Sequence, residues 1–206
     1  EIHACDISLY SSALAAYLAG TPIDIRENPE CPEHLQGFLD TTTPARMVAS
    51  IALIFDMRDF WQLKNPYQVR MFEQWKMAFD DLMEKTMTKL EAFSEHLGRI
   101  HYTPMDGIDF MNQFDPGHTV FAAPPTYKAG YEKLEKLLRA VIDWRPPEYR
   151  ELTDQDLTFY ETVATFDNYF IILEKDLPEV YKILGEPAAV LPRGREKFTY
   201  ILTRRT

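Results

Sequence analysis

The sequence TVFAAPPTYKAGYEK, residues 119–133, is the most informative segment for predicting the fold class. It opens with an apolar run at 119–123, which is typical of the buried middle of a parallel sheet. The run stops at two prolines, which cannot donate to a sheet ladder, so the strand is predicted to end there. A helical pattern follows from about Gly130. A strand that leads directly into a helix is the repeating unit of an α/β fold.

Other parts of the chain repeat this organisation. A short run at 2–5 ends at Asp6, and a helical pattern over 7–18 follows and is closed by Gly20. Further predicted elements are a strand at 169–173, a helix at 177–184, and an antiparallel hairpin of residues 188–191 and 198–202. The prediction is an α/β fold with a mostly parallel sheet and an antiparallel C-terminal hairpin.

A helical insertion is predicted at about residues 28–97. Thr43-Pro44 has the residue types of an N-cap and a first helical position. A second helix is predicted from Asn65-Pro66 through Leu97, and its Met and aromatic residues recur every three or four positions. That spacing predicts that these side chains pack in the core of the protein and do not form a cofactor-binding motif. Residues 23–44 are interpreted as a poorly ordered connection.

Composition excludes several classes of protein. The 206 residues suffice for one domain, and a net charge of −10 argues against a surface that coats nucleic acid or membrane. DNA contact would need a local basic patch. No membrane-spanning run or basic leader is evident, so a cytoplasmic protein is expected. Two cysteines and five histidines show no zinc-binding spacing, and metal binding is not expected.

Acidic residues follow two predicted strands, where ligands collect in open α/β sheets. Asp6 could accept hydrogen bonds from both ribose hydroxyls of a nucleoside cofactor, or it could cap the helix that begins at Ile7. Asp106 or Asp109 could face the adenine amine of the same cofactor, or these acids could stabilise the N-terminus of a short helix through its dipole. The sequence alone leaves both alternatives open.

The prolines and the tyrosine after the 119–123 run suit recognition of a base. Fixed prolines direct carbonyl groups outward as acceptors for an exocyclic amine, and the ring of Tyr127 can stack on an extruded base. This strand, Pro124-Pro125 and Tyr127 resemble the Asp/Asn-Pro-Pro-Tyr loop of amino-group DNA methyltransferases. With Asp6-Ile7-Ser8-Leu9-Tyr10 upstream, the chain resembles antirestriction adenine methylases of phages and bacteria.

The resemblance implies a Rossmann-like methyltransferase domain over residues 1–206. It implies methyl transfer from S-adenosylmethionine to the N6 amine of adenine in DNA, and protection of phage or host DNA from restriction. The implied catalytic residues are Pro124, Pro125, Thr126 and Tyr127. The implied cofactor-binding residues are Asp6, Ile7, Asp106, Asp109 and Ala123. The candidate DNA-binding residues are Lys128, Arg193, Arg195 and Lys197.

Two departures from the family pattern matter. Ala123 stands where the pattern has Asp or Asn, and Thr126 is an extra residue before Tyr127. None of the eight glycines forms a Gly-x-Gly cluster, so the first strand and its glycine-rich turn are missing. The domain is therefore expected to be N-terminally incomplete. A homodimer or a partner chain could supply the missing strand.

Two other functions compete with methyl transfer. Because of Ala123, the chain could be a catalytically inactive DNA- or nucleotide-binding partner subunit with the same fold. Residues 124–127 and 146–149 also both spell Pro-Pro-x-Tyr, a ligand pattern for WW domains, which requires an exposed segment. The cations near the C-terminus could contact phosphates or form a solvated sheet edge.

Overall fold

The computed structural model describes residues 1–95, 97, 99–124, 130–150, 156–193 and 197–205. The chain is a mixed α/β protein that divides into two compact units. The first unit is Glu1–Pro104 with Tyr131–Pro147, and the second is Met105–Gly130 with Glu148–Thr206. In chain order the elements are β1 (Ile2–Ala4), α1 (Leu9–Ala19), β2 (Arg26–Glu27), α2 (Pro44–Asp56), α3 (Pro66–Glu95), β3 (Ile100–Tyr102), α4 (Gly107–Met111), β4 (Thr119–Ala122), α5 (Gly130–Val141), β5 (Ile142–Asp143), α6 (Thr158–Ala164), β6 (Asn168–Leu173), α7 (Pro178–Leu184), β7 (Ala189–Pro192) and β8 (Phe198–Arg204).

The helices of the first unit form where the sequence predicts them. Thr43 caps α2 by accepting from the N–H of Arg46, and Pro44 occupies the first turn. α1 ends at Gly20, whose φ of 65° is the left-handed conformation expected of a C-terminal glycine. Helix α3 runs unbroken for 30 residues. It ends at Glu95, close to the predicted end at Leu97.

The aromatic stripe of α3 packs into the core of the first unit, as predicted. Phe72, Trp75 and Met83 are buried, and the rings of Trp75 and Phe79 each lie 5.0 Å from that of Phe38. α2 contributes six buried apolar side chains to the same core and is buried on several sides. Three- and four-residue spacing thus reflects packing, because it places the apolar side chains on one face of the helix.

The interpretation of residues 23–44 as a poorly ordered connection is wrong. This segment buries Ile25, Cys31 and Leu35, and its short strand β2 pairs antiparallel with β5. Its partner strand lies more than one hundred residues away in the chain, so local sequence patterns could not show the pairing. The first unit also contains the parallel pair β1–β3, in which His3 lies opposite His101.

The second unit contains a four-stranded sheet in the order β4-β6-β8-β7. β4 and β6 are parallel, whereas β8 is antiparallel to both β6 and β7, which confirms the predicted C-terminal hairpin. Its core consists of one face of β6 and β8, including Tyr169, Ile171 and Leu202, packed with side chains of α4, α6 and α7. Among the described strands, two pairings are parallel and three antiparallel, so the predicted mostly parallel sheet is not reproduced.

The prediction that β4 is a buried strand is also wrong. Its residues alternate between exposed and half-buried, and Phe121 is 70% exposed. The ring of Phe121 stacks on Phe170 of β6, with centroids 5.3 Å apart. An apolar run shows that a segment is hydrophobic, but it does not show which face of the sheet other elements cover. No helix in the described part of the chain is long and apolar enough to cross a membrane.

Candidate functional site

Asp6 forms a tight turn between β1 and α1. Its Oδ1 accepts hydrogen bonds from the backbone N–H groups of Ile7 and Ser8, both at 2.7 Å. The N-cap of α1 is Ser8, whose side-chain oxygen accepts from the N–H of Ser11. Asp6 is therefore not the cap residue, although it does accept hydrogen bonds from backbone N–H groups just before the helix, as that alternative predicted. Asp6 and Ile7 are half-buried, and no described residue donates to Oδ2 of Asp6. That oxygen can accept hydrogen bonds from a ligand's hydroxyl groups.

The backbone of Asp6 is fixed by two further hydrogen bonds. Its carbonyl oxygen accepts from the Tyr102 hydroxyl at 3.3 Å and from the Ser12 hydroxyl at 3.4 Å. Burial raises the pKa of Tyr102, and the negative charge of Asp6 contributes to the same shift. Tyr102 therefore remains a hydroxyl donor at neutral pH. These two hydrogen bonds tie the turn between β1 and α1 to Ser12 of α1 and to Tyr102 at the end of β3.

Asp106 is buried at the start of α4, with 7% of its surface exposed. Its Oδ1 accepts from the N–H groups of Ile108 at 2.9 Å and of Asp109 at 3.4 Å, which makes it the N-cap of the helix. Its Oδ2 accepts from the backbone N–H of Arg150 at 2.9 Å. Both oxygens have partners within the chain, as a buried carboxylate requires.

Asp109 lies one turn further along and is more accessible. Its side chain is 52% exposed, and Oδ1 accepts a hydrogen bond of 2.7 Å from the guanidinium group of Arg150. No described residue donates to its Oδ2. Within the described residues, both oxygens of Asp106 therefore have partners, whereas Oδ2 of Asp109 has none.

The proline loop begins at the end of β4. Ala123 is exposed and carries no polar side-chain atom, and Pro124 is buried. Pro125, Thr126, Tyr127 and Lys128 lie outside the described residues. Asp6 belongs to the first unit, and Asp106, Asp109 and Pro124 belong to the second.

The comparison with family models covers the whole chain. Residues 1–206 match the model described as Phage DNA Adenine Methylase-like domain 1. The chain belongs to this family. The resemblance to phage adenine methylases is confirmed, and membership supports a DNA methyltransferase-like function. No curated protein and no solved structure matches the chain.

The basic residues near the C-terminus of this methylase-like domain differ in their surroundings. Arg193 pairs with Glu174, and Lys197 is exposed at the other side of the hairpin loop. Arg204 donates to the carbonyl groups of Ala164 and Phe166, so it stabilises the end of α6. Arg195 lies outside the described residues.

The second Pro-Pro-x-Tyr segment has the surroundings of a packed connection. Pro146, Pro147 and Tyr149 are half-buried, and the next residue, Arg150, is held by Asp106 and Asp109. A WW-domain ligand must present its prolines and tyrosine together to an aromatic groove. This environment does not favour that function for the methylase-like domain.

Sequence reasoning missed Arg150 as part of the site. Its two partners precede it by 44 and 41 residues, and no local motif links them. The only signal was that Arg150 directly follows the second Pro-Pro-x-Tyr segment. The described residues contain no group of three or more His, Cys, Asp or Glu side chains that could hold a metal ion.

Proposed function

We propose that this methylase-like domain transfers a methyl group from S-adenosylmethionine to the N6 amine of adenine in DNA. The observation that carries the proposal is the family match over the whole chain. The turn at Asp6 supports the cofactor, because this acid follows a strand that pairs in parallel and no described residue donates to its Oδ2. In α/β folds an acid at that place binds ribose hydroxyls.

Each residue has a distinct role in the proposed reaction. Asp6 accepts from the ribose hydroxyls through Oδ2, and Asp109 offers an acceptor to the adenine ring of the cofactor. The carbonyl group of Pro124 holds the target amine while Tyr127 stacks on the flipped base. The bound cofactor supplies an electrophilic methyl group. The same domain would protect phage or host DNA where its methylation blocks a restriction enzyme.

Ala123 limits the rate of this reaction. Its exposed methyl side chain cannot accept a hydrogen bond from the target amine. A missing polar group at a reacting centre costs about 10²- to 10³-fold in rate. Slow methyl transfer is therefore expected. The same observation favours the second candidate function, a partner subunit of the methyltransferase type that binds DNA or nucleotide without reacting.

Calorimetry with S-adenosylmethionine, combined with transfer of a labelled methyl group to adenine-containing DNA, tests the proposal. The wild type should bind the cofactor and label N6. Asp6→Asn should weaken binding at least about tenfold, which is about 1.4 kcal/mol. Asp24→Asn is the matched control, because Asp24 is an exposed acid of the same unit that pairs with Arg26. Absence of binding by the wild type would overturn the proposal, and binding without labelling would select the partner-subunit function.

A further inference from the structure

Asp106, Asp109 and Arg150 form one connected cluster in the second unit. The buried carboxylate of Asp106 accepts from the backbone N–H groups of both Asp109 and Arg150. The side chains of those two residues are joined to each other at 2.7 Å. Asp106 therefore fixes the two backbones, and the ion pair fixes the two side chains.

The Asp109–Arg150 pair contributes little to stability. Both side chains are 52% exposed. An exposed ion pair is worth about 0–1 kcal/mol because water screens the attraction and two side chains lose freedom. The pair does affect orientation, because a guanidinium group bonded to Oδ1 restricts rotation of the carboxylate.

We propose that Arg150 is a positioning residue that orients the Asp109 carboxylate to accept the 6-amino group of the cofactor's adenine. This inference rests on the proposed function. Oδ2 of Asp109, to which no described residue donates, can accept a hydrogen bond from an exocyclic amine. A 6-oxo group in place of that amine is itself an acceptor and could not donate to the carboxylate. Sites that use a hydrogen bond in this way discriminate against the analogue that lacks the donor.

The test compares two ligands that differ only at this position, S-adenosylhomocysteine and S-inosylhomocysteine. Calorimetry should show that the wild type prefers the adenosyl ligand by about tenfold or more. Arg150→Ala should reduce that preference to about threefold or less through weaker adenosyl binding, and Asp109→Asn should do the same. Arg150→Lys keeps the positive charge but lacks the planar guanidinium group, so this variant should retain part of the preference for the adenosyl ligand.

The control variant is Arg145→Ala, which removes the same charge from an exposed position nearby in the chain. It should leave both affinities unchanged. Arg150→Ala keeps the backbone N–H that binds Asp106, so its melting curve should match that of the wild type. Equal weakening of both ligands by Arg150→Ala would indicate a merely structural role and overturn the inference, as would no change for either. If the wild type binds neither ligand, the proposed function itself fails and the role of Arg150 fails with it.

Discussion

Nε of Arg46 lies 2.6 Å from Oδ2 of Asp40 and joins the start of α2 to the segment before it. The other carboxylate oxygen of Asp40 accepts from the N–H and hydroxyl groups of Thr42. Arg46 also reaches Glu84 of α3 at 3.2 Å. The bond to Arg46, followed by those to Thr42, lowers the pKa of Asp40 to about 2. The ionised carboxylate is therefore a stabilising group of the first unit.

This depressed pKa predicts a specific pH dependence for Asp40→Asn. A carboxylate whose pKa is lower in the folded state stabilises the fold above its unfolded pKa, and that contribution disappears as the pH falls through the folded value. The variant should lose about 1–2 kcal/mol at pH 7, and the loss should shrink as the pH falls from about 4 to about 2. Urea unfolding at several pH values measures it. Asp24→Asn should show no such trend, and a pH-independent loss in Asp40→Asn would contradict the argument.

Ser50 should matter because of its two hydrogen bonds within α2 and to the neighbouring segment. It is fully buried, donates to the Met47 carbonyl group and accepts from the N–H of Asp40. Ser50→Ala leaves the partly buried N–H of Asp40 without this partner and should cost about 1–2 kcal/mol. The control is Ser94→Ala near the exposed end of α3, where the expected change is within about 0.5 kcal/mol. Equal unfolding midpoints for the two variants would refute this account.

Arg204 is predicted to stabilise the second unit. Its guanidinium caps the carbonyl groups at the end of α6 and lies 5.0 Å from the ring centroid of Tyr169. Arg204→Ala should lower the free energy of unfolding by about 1–2 kcal/mol, because cations stabilise helix C-termini and aromatic faces. Chemical denaturation measures the change. Arg205→Ala should be neutral, and a comparable loss there would indicate a general effect of charge.

Two glycines should differ in the residues that can replace them. Gly20 has φ 65° and ψ 23°, whereas Gly185 has φ 88° and ψ 171°. Nothing lies within 4 Å of a Cβ added at either position, so the cost of Ala is purely conformational. We expect about 1 kcal/mol at Gly20 and about 1–3 kcal/mol at Gly185.

Asparagine separates the two positions more sharply. It tolerates the left-handed helical region, so Gly20→Asn should be nearly neutral in thermal unfolding. Gly185→Asn should remain destabilising, because the region with positive φ and ψ near 180° is populated almost only by glycine. Tolerance of Asn at both positions would show that Gly185 relaxes to another conformation.

The hairpin cations should contact DNA if the basic patch serves binding. Glu174 neutralises Arg193 locally, so Glu174→Gln should strengthen DNA binding a few-fold at low salt, and Arg193→Ala should weaken it. Fluorescence anisotropy at several salt concentrations measures both. Glu179→Gln is the matched control, because Glu179 pairs with Lys182 on α7 outside the hairpin. An equal gain for both Glu variants would reflect net charge alone.

Local patterns predicted most elements of the chain. The cap at Thr43-Pro44, the long apolar stripe of α3 and the C-terminal hairpin are properties of residues within a few positions of each other. The family resemblance rested on a similarly short stretch. The wrong predictions concern features that depend on contacts with residues far away in the chain. Neither the pairing of β2 with β5 nor the exposed face of β4 has a signature in neighbouring residues.

The candidate site divides in the same way. Sequence alone determined that Asp6, Asp106 and Asp109 follow strands and that Ala123 carries no polar group before the prolines. The fold itself was needed to show that Ser8 caps α1 while Asp6 accepts from the N–H groups of Ile7 and Ser8. It was also needed to show that Arg150 binds both acids at the start of α4. The physical reason is that a residue's type is fixed locally, whereas the hydrogen-bond partners of a carboxylate depend on which distant backbone the fold brings within about 3 Å.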